Sequence, residues 1–266
     1  MIDRVVCGDS AILLKELPDN CIDLTVTSPP YEDLRDYDNY SGFDFETIAS
    51  QLYRVTKEGG VLVWVVGDKT KDGNESLNSF KQALHFQKVG FRMHDTMIYH
   101  KYAPPLTHNR YEQHFEYMFV FAKCSPKTFN AIMEHKKTKD QRMKKSIRRN
   151  ANATIDWGSA SPSIDKIMGN VWSYSTGKVP DVSKDDIAYQ HPAIFPELLA
   201  RDHIESWSNI GDTVLDPFAG SGTTLKMAHL LQRHYIGFEI SAKYVEIIRK
   251  RMNKYRDQRM EAFLDK

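Results

Sequence analysis

The stretch that decides the fold is Val214–Thr224, which reads VLDPFAGSGTT. An apolar run with strand character ends in an acid, and a glycine-rich turn then opens a helical pattern. Glycines let backbone amides approach a ligand closely, and the N-terminus of a helix favours negative charge. The next strand pattern, Tyr235–Glu239, ends in a carboxylate. This arrangement predicts an α/β nucleoside site in which Glu239 accepts hydrogen bonds from both ribose hydroxyls.

The glycine-rich turn matches neither of the two common nucleotide-binding patterns. The P-loop pattern GxxxxGK[ST] is absent, and Leu225 stands where the dinucleotide pattern GxGxxG has its third glycine. Asp216, immediately before the turn, would repel a pyrophosphate but suits the ammonium group of a methionine moiety. The turn therefore favours a methionine-bearing nucleoside, and a tight strand-to-helix connection without a ligand is the alternative at this point.

A second chemical signal, Thr27–Tyr31 (TSPPY), follows the apolar strand pattern Ile22–Thr27. Two prolines fix the backbone and remove two amide donors, so the turn presents the Ser28 hydroxyl and the Pro29 carbonyl as acceptors. These acceptors can bind the hydrogens of an exocyclic base amine and free its lone pair for attack on a sulfonium methyl. Tyr31 would stack on a base flipped out of the duplex.

An SPPY segment taken alone is often a plain loop. Its position argues for more, because it lies at the carboxyl end of a predicted parallel strand, as does the glycine-rich turn. Ligands bind at that edge of an open α/β sheet. Together the two turns predict one site that holds a methyl donor beside an amine acceptor.

Short β-rich runs alternate with helical patterns along the whole chain, which predicts an α/β sheet. The seven candidate strands are Arg4–Cys7, Ile22–Thr27, Gly60–Val66, Asp95–His100, Phe115–Ala122, Thr213–Asp216 and Tyr235–Glu239. We expect Asp95–His100 and Phe115–Ala122 to pair as an antiparallel hairpin. The stretch from about Ser125 to Trp172 is polar, basic and weakly periodic, which predicts an inserted subdomain or a set of ordered loops.

The bulk properties are those of a cytoplasmic globular protein. A chain of 266 residues can bury one sizeable core and carry a small extra domain. No apolar stretch approaches the roughly 20 residues of a membrane span, and the N-terminus lacks the features of a signal peptide. Cys7, Cys21 and Cys124 lie far apart without the spacing of metal ligands. We therefore expect a protein of the reducing cytoplasm that binds neither a membrane nor a metal.

The positive charge of the chain is concentrated in one segment. The net charge is +1, but residues 136–149 hold eight Lys or Arg against one Asp. Such a run is either a solvated charged face or a phosphate-binding arm. The candidate DNA-binding residues are Lys136, Lys137, Arg142, Lys144, Lys145, Arg148 and Arg149.

These motifs, in this order, resemble those of the DNA amino-methyltransferases with the β order of motifs, whose catalytic half precedes the target-recognition region and whose cofactor half comes last. The resemblance covers nearly the whole chain. It rests on VVCGDSAILLKELPDNCIDLTVTSPPY (5–31), RVTKEGGVLVWVVGD (54–68), NRYEQHFEYMFVFAK (109–123) and HPAIFPELLARDHIESWSNIGDTVLDPFAGSGTT (191–224). It implies a Rossmann-like, seven-stranded methyltransferase sheet with a circularly permuted motif order. The implied parts are a catalytic half at 1–124, an inserted target-recognition region at 125–175 and a cofactor half at 176–266.

The resemblance also implies roles for single residues, with S-adenosyl-L-methionine as the cofactor. The catalytic loop is Ser28, Pro29, Pro30 and Tyr31. The cofactor-binding residues are Asp9, His191, Pro192, Phe195, Asp216, Phe218, Gly220, Ser221, Gly222, Thr223 and Glu239. Among them, Asp9 has the alternative of a helix N-cap, and Phe195 that of a core residue. The basic segment falls in the target-recognition region, where phosphate contacts are expected. Asn109, Arg110 and Tyr111 either face the flipped base or serve the structure.

The identity of the acceptor base follows from Ser28. In this family a Ser at the first catalytic position is most often found in enzymes that make N4-methylcytosine, and an Asp in those that make N6-methyladenine. We therefore expect cytosine N4 in double-stranded DNA, reached by base flipping and in-line transfer, with adenine N6 as the alternative. Methylation at carbon 5 needs a thiolate, and no cysteine here follows a proline.

Two other functions compete with this interpretation. The first is methylation of an amino group in RNA or in a protein glutamine, against which the basic segment and the motif order favour DNA. The second is a non-catalytic nucleic-acid-binding protein, against which the intact SPPY and the intact cofactor turn argue. We expect a monomer or homodimer, and a cognate restriction endonuclease of a restriction-modification system is a candidate partner.

Overall fold

The computed structural model describes residues 2–30, 44–101, 111–135, 145–149, 155–159, 165–179 and 182–258. It divides into two compact units, Met1–Asn130 with Asn170–Lys266 and, separately, Ala131–Gly169. The second unit lies inside the predicted insert at 125–175, whose role in target recognition stays a prediction.

The helices and strands of the described ranges alternate for most of the chain. The strands are β1 (Arg4–Cys7), β2 (Ile22–Thr27), β3 (Thr56–Val66), β4 (Thr70–Lys71), β5 (Asn74–Glu75), β6 (Arg92–His100), β7 (Phe115–Ala122), β8 (Met133–His135), β9 (Lys145–Arg149), β10 (Ile155–Ser159), β11 (Asp165–Ile167), β12 (Val171–Ser173), β13 (Thr213–Asp216) and β14 (His234–Glu239). The helices are α1 (Ser10–Leu13), α2 (Phe45–Val55), α3 (Asn78–Val89), α4 (Glu197–Trp207), α5 (Thr223–Leu230) and α6 (Ala242–Tyr255), with 3₁₀ turns at Leu14–Glu16 and Asp186–Gln190.

Within the described residues, eight strands form the main sheet of the first unit, in the order β1-β14-β13-β2-β3-β7-β6-β12. Strand β7 runs antiparallel to both of its neighbours, and the other neighbouring pairs are parallel. The α/β class and the seven predicted strands are confirmed, as is the hairpin of β6 with β7. The eighth strand, β12, was not predicted from the sequence because three residues are too short to show a periodic pattern.

The core of the first unit lies on both faces of β3. Its run GVLVWVV is buried throughout, as expected for a central strand that is covered on both faces. Trp64 packs against Phe86 of α3 with ring centroids 5.0 Å apart, and Phe86 lies equally close to Phe121 of β7. Helix α2 turns one apolar stripe towards this cluster, because its buried residues recur at helical spacing.

The sheet topology places two distant parts of the sequence side by side. Strand β13 pairs with β2, with Val214 opposite Leu24 and Leu215 opposite Thr25. Because the two strands are parallel, the turns that follow Thr27 and Asp216 leave the sheet at the same edge. The glycine-rich turn near the C-terminus and residues 28–30 of the SPPY turn near the N-terminus are thus neighbours, as the permuted motif order requires.

The second unit contains two antiparallel strand pairs, β8 with β11 and β9 with β10. Lys145, Arg148 and Arg149 lie on β9, whereas Lys136, Lys137, Arg142 and Lys144 lie outside the described residues. Whether these seven residues contact DNA stays a prediction.

Candidate active site

A cavity of about 710 Å³ opens at the carboxyl edge of the main sheet. It is bordered by the segments that follow β1, β2, β13 and β14 and by the segment 176–196. Most of the residues predicted for the site line it: Asp9, Ser28, Pro29, Pro30, His191, Pro192, Phe195, Asp216, Phe218, Gly220, Ser221, Thr223 and Glu239. Gly222 is not in this lining, and Tyr31 lies outside the described residues.

The two turns at this edge are joined by a hydrogen bond between their strands. Thr27 donates its Oγ1 hydrogen to Oδ1 of Asp216 at 2.6 Å, and the backbone N–H of Phe218 donates to the same oxygen at 3.1 Å. Thr27, immediately before Ser28, therefore holds Asp216, the acid immediately before the glycine-rich turn. Sequence reasoning missed Thr27, since only the pairing of β2 with β13 brings it to Asp216.

Asp216 is almost completely buried, with 5% of its surface exposed. Burial raises the pKa of its carboxyl to about 6, although the hydrogen bonds from Thr27 and Phe218 act in the opposite direction. A cationic group in the cavity would compensate the charge that burial penalises. The site thus suits a ligand with a positive charge near Asp216.

Glu239, at the end of β14, accepts a backbone hydrogen bond on each carboxylate oxygen. The N–H of Gly220 donates to Oε2 at 2.8 Å, and the N–H of Ser241 donates to Oε1 at 2.9 Å. Burial nevertheless raises its pKa to about 7. Because a carboxylate oxygen has more than one acceptor position, both oxygens can also accept a hydrogen bond from a ligand hydroxyl.

The glycine-rich turn needs glycine at two positions for different steric reasons. Gly220 has a φ of +53°, and a Cβ there would lie 3.2 Å from the ring of His191. Gly222 has a φ of +80°, precedes α5, and would place a Cβ 2.9 Å from the side chain of Ile248. Gly222 therefore shapes the turn and lets it pack on α6, which accounts for its position away from the cavity surface.

The segment that carries His191 closes one side of the cavity. The Nδ1 atom of His191 lies 2.7 Å from the carbonyl oxygen of Ala193, and its ring packs edge-on against Tyr244 at 4.3 Å between centroids. Pro192 and Phe195 line the cavity beside it. Phe195 is half-buried at the cavity wall.

Asp9 is the N-cap of α1, one of the two roles expected for it, and it also lies at the cavity. Its carboxylate accepts a hydrogen bond from the Ala11 N–H at 2.8 Å and caps α1, and the residue also lines the cavity. The neighbouring Ser10 hydroxyl donates to the carbonyl oxygen of Pro217. The Ser10 contact attaches the start of α1 to the glycine-rich turn. A contact of Asp9 with the cofactor adenine stays a prediction.

The opposite wall of the cavity is polar and was not found from the sequence. Tyr99 and Lys101 come from the end of β6, and Glu116 comes from the start of β7. Lys101 and Glu116 form an ion pair. The antiparallel hairpin brings both residues to the same edge as Ser28, a relation that no local sequence pattern encodes.

Neither a metal site nor a membrane helix is present in the described part of the chain. No group of three or more His, Cys, Asp or Glu is placed to hold a metal ion there. No helix in these ranges is long and apolar enough to cross a membrane.

Comparison with known proteins identifies the family. A family model described as DNA methylase, for N6- and N4-methyltransferases, matches residues 22–250. The chain belongs to the DNA methylase family. The matched range contains both the SPPY turn and the glycine-rich turn.

Relatives and solved structures agree with this family membership. The chain is 52% identical to the orphan methyltransferase M.BamHII of Bacillus amyloliquefaciens, over 91% of this chain and 93% of the relative. It is 29% identical to the DNA adenine methyltransferase YhdJ of Escherichia coli K12, over 94% and 82% of the two chains. The Thermus thermophilus protein TTHA0409, a putative DNA modification methylase solved with S-adenosyl-L-methionine, has a TM-score of 0.63, 26% identity and coverage of 94% and 93%. This family uses S-adenosylmethionine as its methyl donor.

Proposed function

We propose that this DNA methylase transfers a methyl group from S-adenosylmethionine to the exocyclic N4 amine of cytosine in double-stranded DNA. The observation that carries the proposal is the single cavity at the edge of β2 and β13. It holds residues 28–30 of the SPPY turn beside the glycine-rich turn. A donor methyl group and an acceptor amine bound at these two turns would meet without any rearrangement of the sheet.

The cofactor side of the cavity fits a cationic nucleoside. Two buried carboxylates, Asp216 and Glu239, line it, and both have pKa values raised by burial. We assign Asp216 to the ammonium group and Glu239 to the ribose hydroxyls, and we assign the amides of the glycine-rich turn to the carboxylate. The cofactor supplies an electrophilic sulfonium methyl group when it is bound.

The SPPY turn offers hydrogen-bond acceptors to the cavity, and its two prolines carry no backbone donor. Pro29 and Pro30 have no N–H, so the Ser28 hydroxyl and the Pro29 carbonyl can accept both hydrogens of a base amine. These contacts orient the amine lone pair towards the donor methyl group. The Ser28 hydroxyl is a weak base, but no strong base is needed before methyl transfer. The amine proton becomes acidic only after the methyl group has arrived and can then leave.

The choice of cytosine rests on Ser28, and adenine N6 is the alternative. The adenine alternative has support of its own, since YhdJ is named an adenine methyltransferase. For DNA binding we assign phosphate contacts to the basic segment 136–149. A cognate endonuclease stays a prediction, and the relative with 52% identity is named an orphan methyltransferase. The oligomeric state and the cytoplasmic location also stay predictions.

The product identifies the acceptor atom directly. DNA from cells with and without the expressed gene would be digested to nucleosides and analysed by mass spectrometry. We expect N4-methylcytosine only in the expressing cells. N6-methyladenine would overturn the choice of base and leave amino-methylation standing, whereas 5-methylcytosine would overturn both.

A further inference from the structure

Four charged side chains form a buried ionic cluster beneath the glycine-rich turn: Asp185, Glu197, Lys226 and Arg251. Their exposed side-chain fractions are 1%, 10%, 2% and 0%. Asp185 and Glu197 flank the segment that carries His191, whereas Lys226 belongs to α5 and Arg251 to α6. The cluster thus connects three parts of the cofactor half that are separate in the sequence.

The contacts inside the cluster are short and pair each buried cation with both acids. Lys226 Nζ lies 2.7 Å from Asp185 Oδ2 and 2.8 Å from Glu197 Oε1. Arg251 Nε lies 2.9 Å from Asp185 Oδ2, and its Nη2 lies 2.5 Å from Glu197 Oε1. The two buried acids thus each contact both buried cations, and the exposed Lys254 adds a third cation, 2.8 Å from Asp185 Oδ1. Such pairing is the condition under which buried charge is tolerated.

The pKa of Asp185 reflects the same contacts. Burial alone would raise it, but hydrogen bonds from Lys226, Lys254, Tyr255 and Arg251 hold the pKa well below the usual range of a carboxyl. Asp185 therefore remains ionised at neutral pH.

One edge of the Arg251 guanidinium group leaves the cluster and reaches the glycine-rich turn. Its Nη1 donates to the backbone oxygen of Ser221 and to Oγ1 of Thr223, both at 3.0 Å. The other edge binds Asp185 and Glu197, on either side of His191. At the cavity surface the turn also lies close to this segment, since a Cβ added to Gly220 would lie 3.2 Å from the His191 ring.

We propose that Arg251 is a positioning residue for cofactor binding, although it does not line the cavity. It holds the glycine-rich turn and the His191 segment in the relative arrangement that forms the methionine part of the cavity. A planar group with several fixed N–H donors is required for this task, because a lysine in its place keeps the charge but cannot bind both sides in the same way. The inference rests on the proposed cofactor site, and it concerns residues outside that site.

The test compares Arg251→Lys with Arg249→Lys by calorimetry with S-adenosylmethionine in the absence of DNA. Arg249 lies on the same helix, and its side chain is 56% exposed in a surface pair with Glu246. We expect the affinity to fall at least tenfold in Arg251→Lys and by less than twofold in Arg249→Lys. In methylation assays, KM for the cofactor should rise more than kcat falls.

If the wild-type protein does not bind S-adenosylmethionine, the proposed function fails. If it binds and folded Arg251→Lys binds equally well, this inference alone is overturned.

Hydrogen exchange separates positioning from general destabilisation. In Arg251→Lys we expect faster amide exchange in 191–195 and 220–223, with β3 and β7 unchanged. Uniformly faster exchange across the molecule would show a purely structural role and would overturn the proposal.

A second variant tests the proposal if Arg251→Lys does not fold. Ser183→Ala removes a hydroxyl that accepts a hydrogen bond from Arg251 at 3.1 Å, and it keeps every charge of the cluster. That variant should lose about threefold in affinity, and unchanged affinity would contradict the proposal.

Discussion

Two buried carboxylates decide what the cavity can bind. Asp216 and Glu239 receive backbone hydrogen bonds that favour their ionised forms, yet burial prevails and raises both pKa values, to about 6 and about 7. Near neutral pH the free protein therefore keeps part of Glu239 protonated. A ligand that brings a positive charge and two hydroxyl groups would favour the ionised forms of both acids.

The pH dependence of cofactor affinity follows from Glu239. Because the ligand hydroxyls bind the ionised carboxylate, affinity should rise with pH through about 7, by roughly tenfold between about pH 6 and pH 8. The contribution of Glu239 to folding stability depends on pH in the opposite direction. Because its pKa is raised in the folded protein, this stabilisation is complete below the ordinary pKa of Glu and is lost as pH rises through about 7. Calorimetry at pH 6 and pH 8 measures the cofactor affinity of the wild type and of Glu239→Gln. The variant is the control, because the cofactor's own groups titrate in the same way with either protein and only the Glu239 carboxyl is missing. Parallel pH profiles would contradict the assignment of Glu239.

Ser28 should matter for chemistry more than for binding. Ser28→Ala removes one of the two acceptors for the amine hydrogens, so kcat should fall by about one to two orders of magnitude, since a hydrogen bond to a reacting group contributes about 1.5–3 kcal/mol. Cofactor affinity should stay within twofold of the wild type, because the sulfonium ligand is held by the other turn. Single-turnover kinetics and calorimetry measure the two effects. A fall in cofactor affinity with unchanged turnover would place Ser28 on the wrong side of the cavity.

At the scale of elements, the parallel pairing of β2 with β13 does most to build the site. The alternation of strand and helix patterns predicted both strands, and their apolar runs gave the bounds of each almost to the residue. The hydrogen bond between Thr27 and Asp216, and the ionic cluster of Asp185, Glu197, Lys226 and Arg251, could not be predicted. Each joins residues whose proximity depends on how separate elements pack, and single positions carry no periodic signal of such contacts.

The basic segment can be tested as an element. Changing Lys144, Lys145, Arg148 and Arg149 to Gln should weaken DNA binding and reduce the log–log salt slope by roughly 0.9 for each phosphate that the variant no longer binds. Cofactor affinity should not change. The matched control changes four exposed residues of the first unit to Gln, namely Lys81, Lys88, Arg249 and Lys250, and lowers the net charge equally. If both sets reduce DNA affinity alike, the segment acts only through net charge. If neither does, it is a solvated surface.

At the scale of the whole molecule, charge is distributed unevenly. The chain has a net charge of +1, while residues 136–149 hold eight basic residues and one acid, so the remainder is net negative. If the basic segment binds phosphates, the net negative charge of the remainder would disfavour nucleic-acid binding elsewhere. This distribution distinguishes the chain from a protein that is basic throughout.

The substrate class is the prediction that depends on the whole molecule. The SPPY turn could present acceptors to an amine in DNA, RNA or a protein glutamine, so the cavity alone does not select among them. We expect the selection to come from the basic segment and from the reach of a flipped base into the cavity. With tritium-labelled S-adenosylmethionine, we expect label in double-stranded DNA and none above background in RNA of the same sequence or in bulk protein. Transfer to DNA should decline with salt in the wild type and decline less steeply in the variant with four Gln in the basic segment. Transfer to RNA or protein at a rate equal to that for DNA would show that the cavity, and not the inserted segment, determines the substrate.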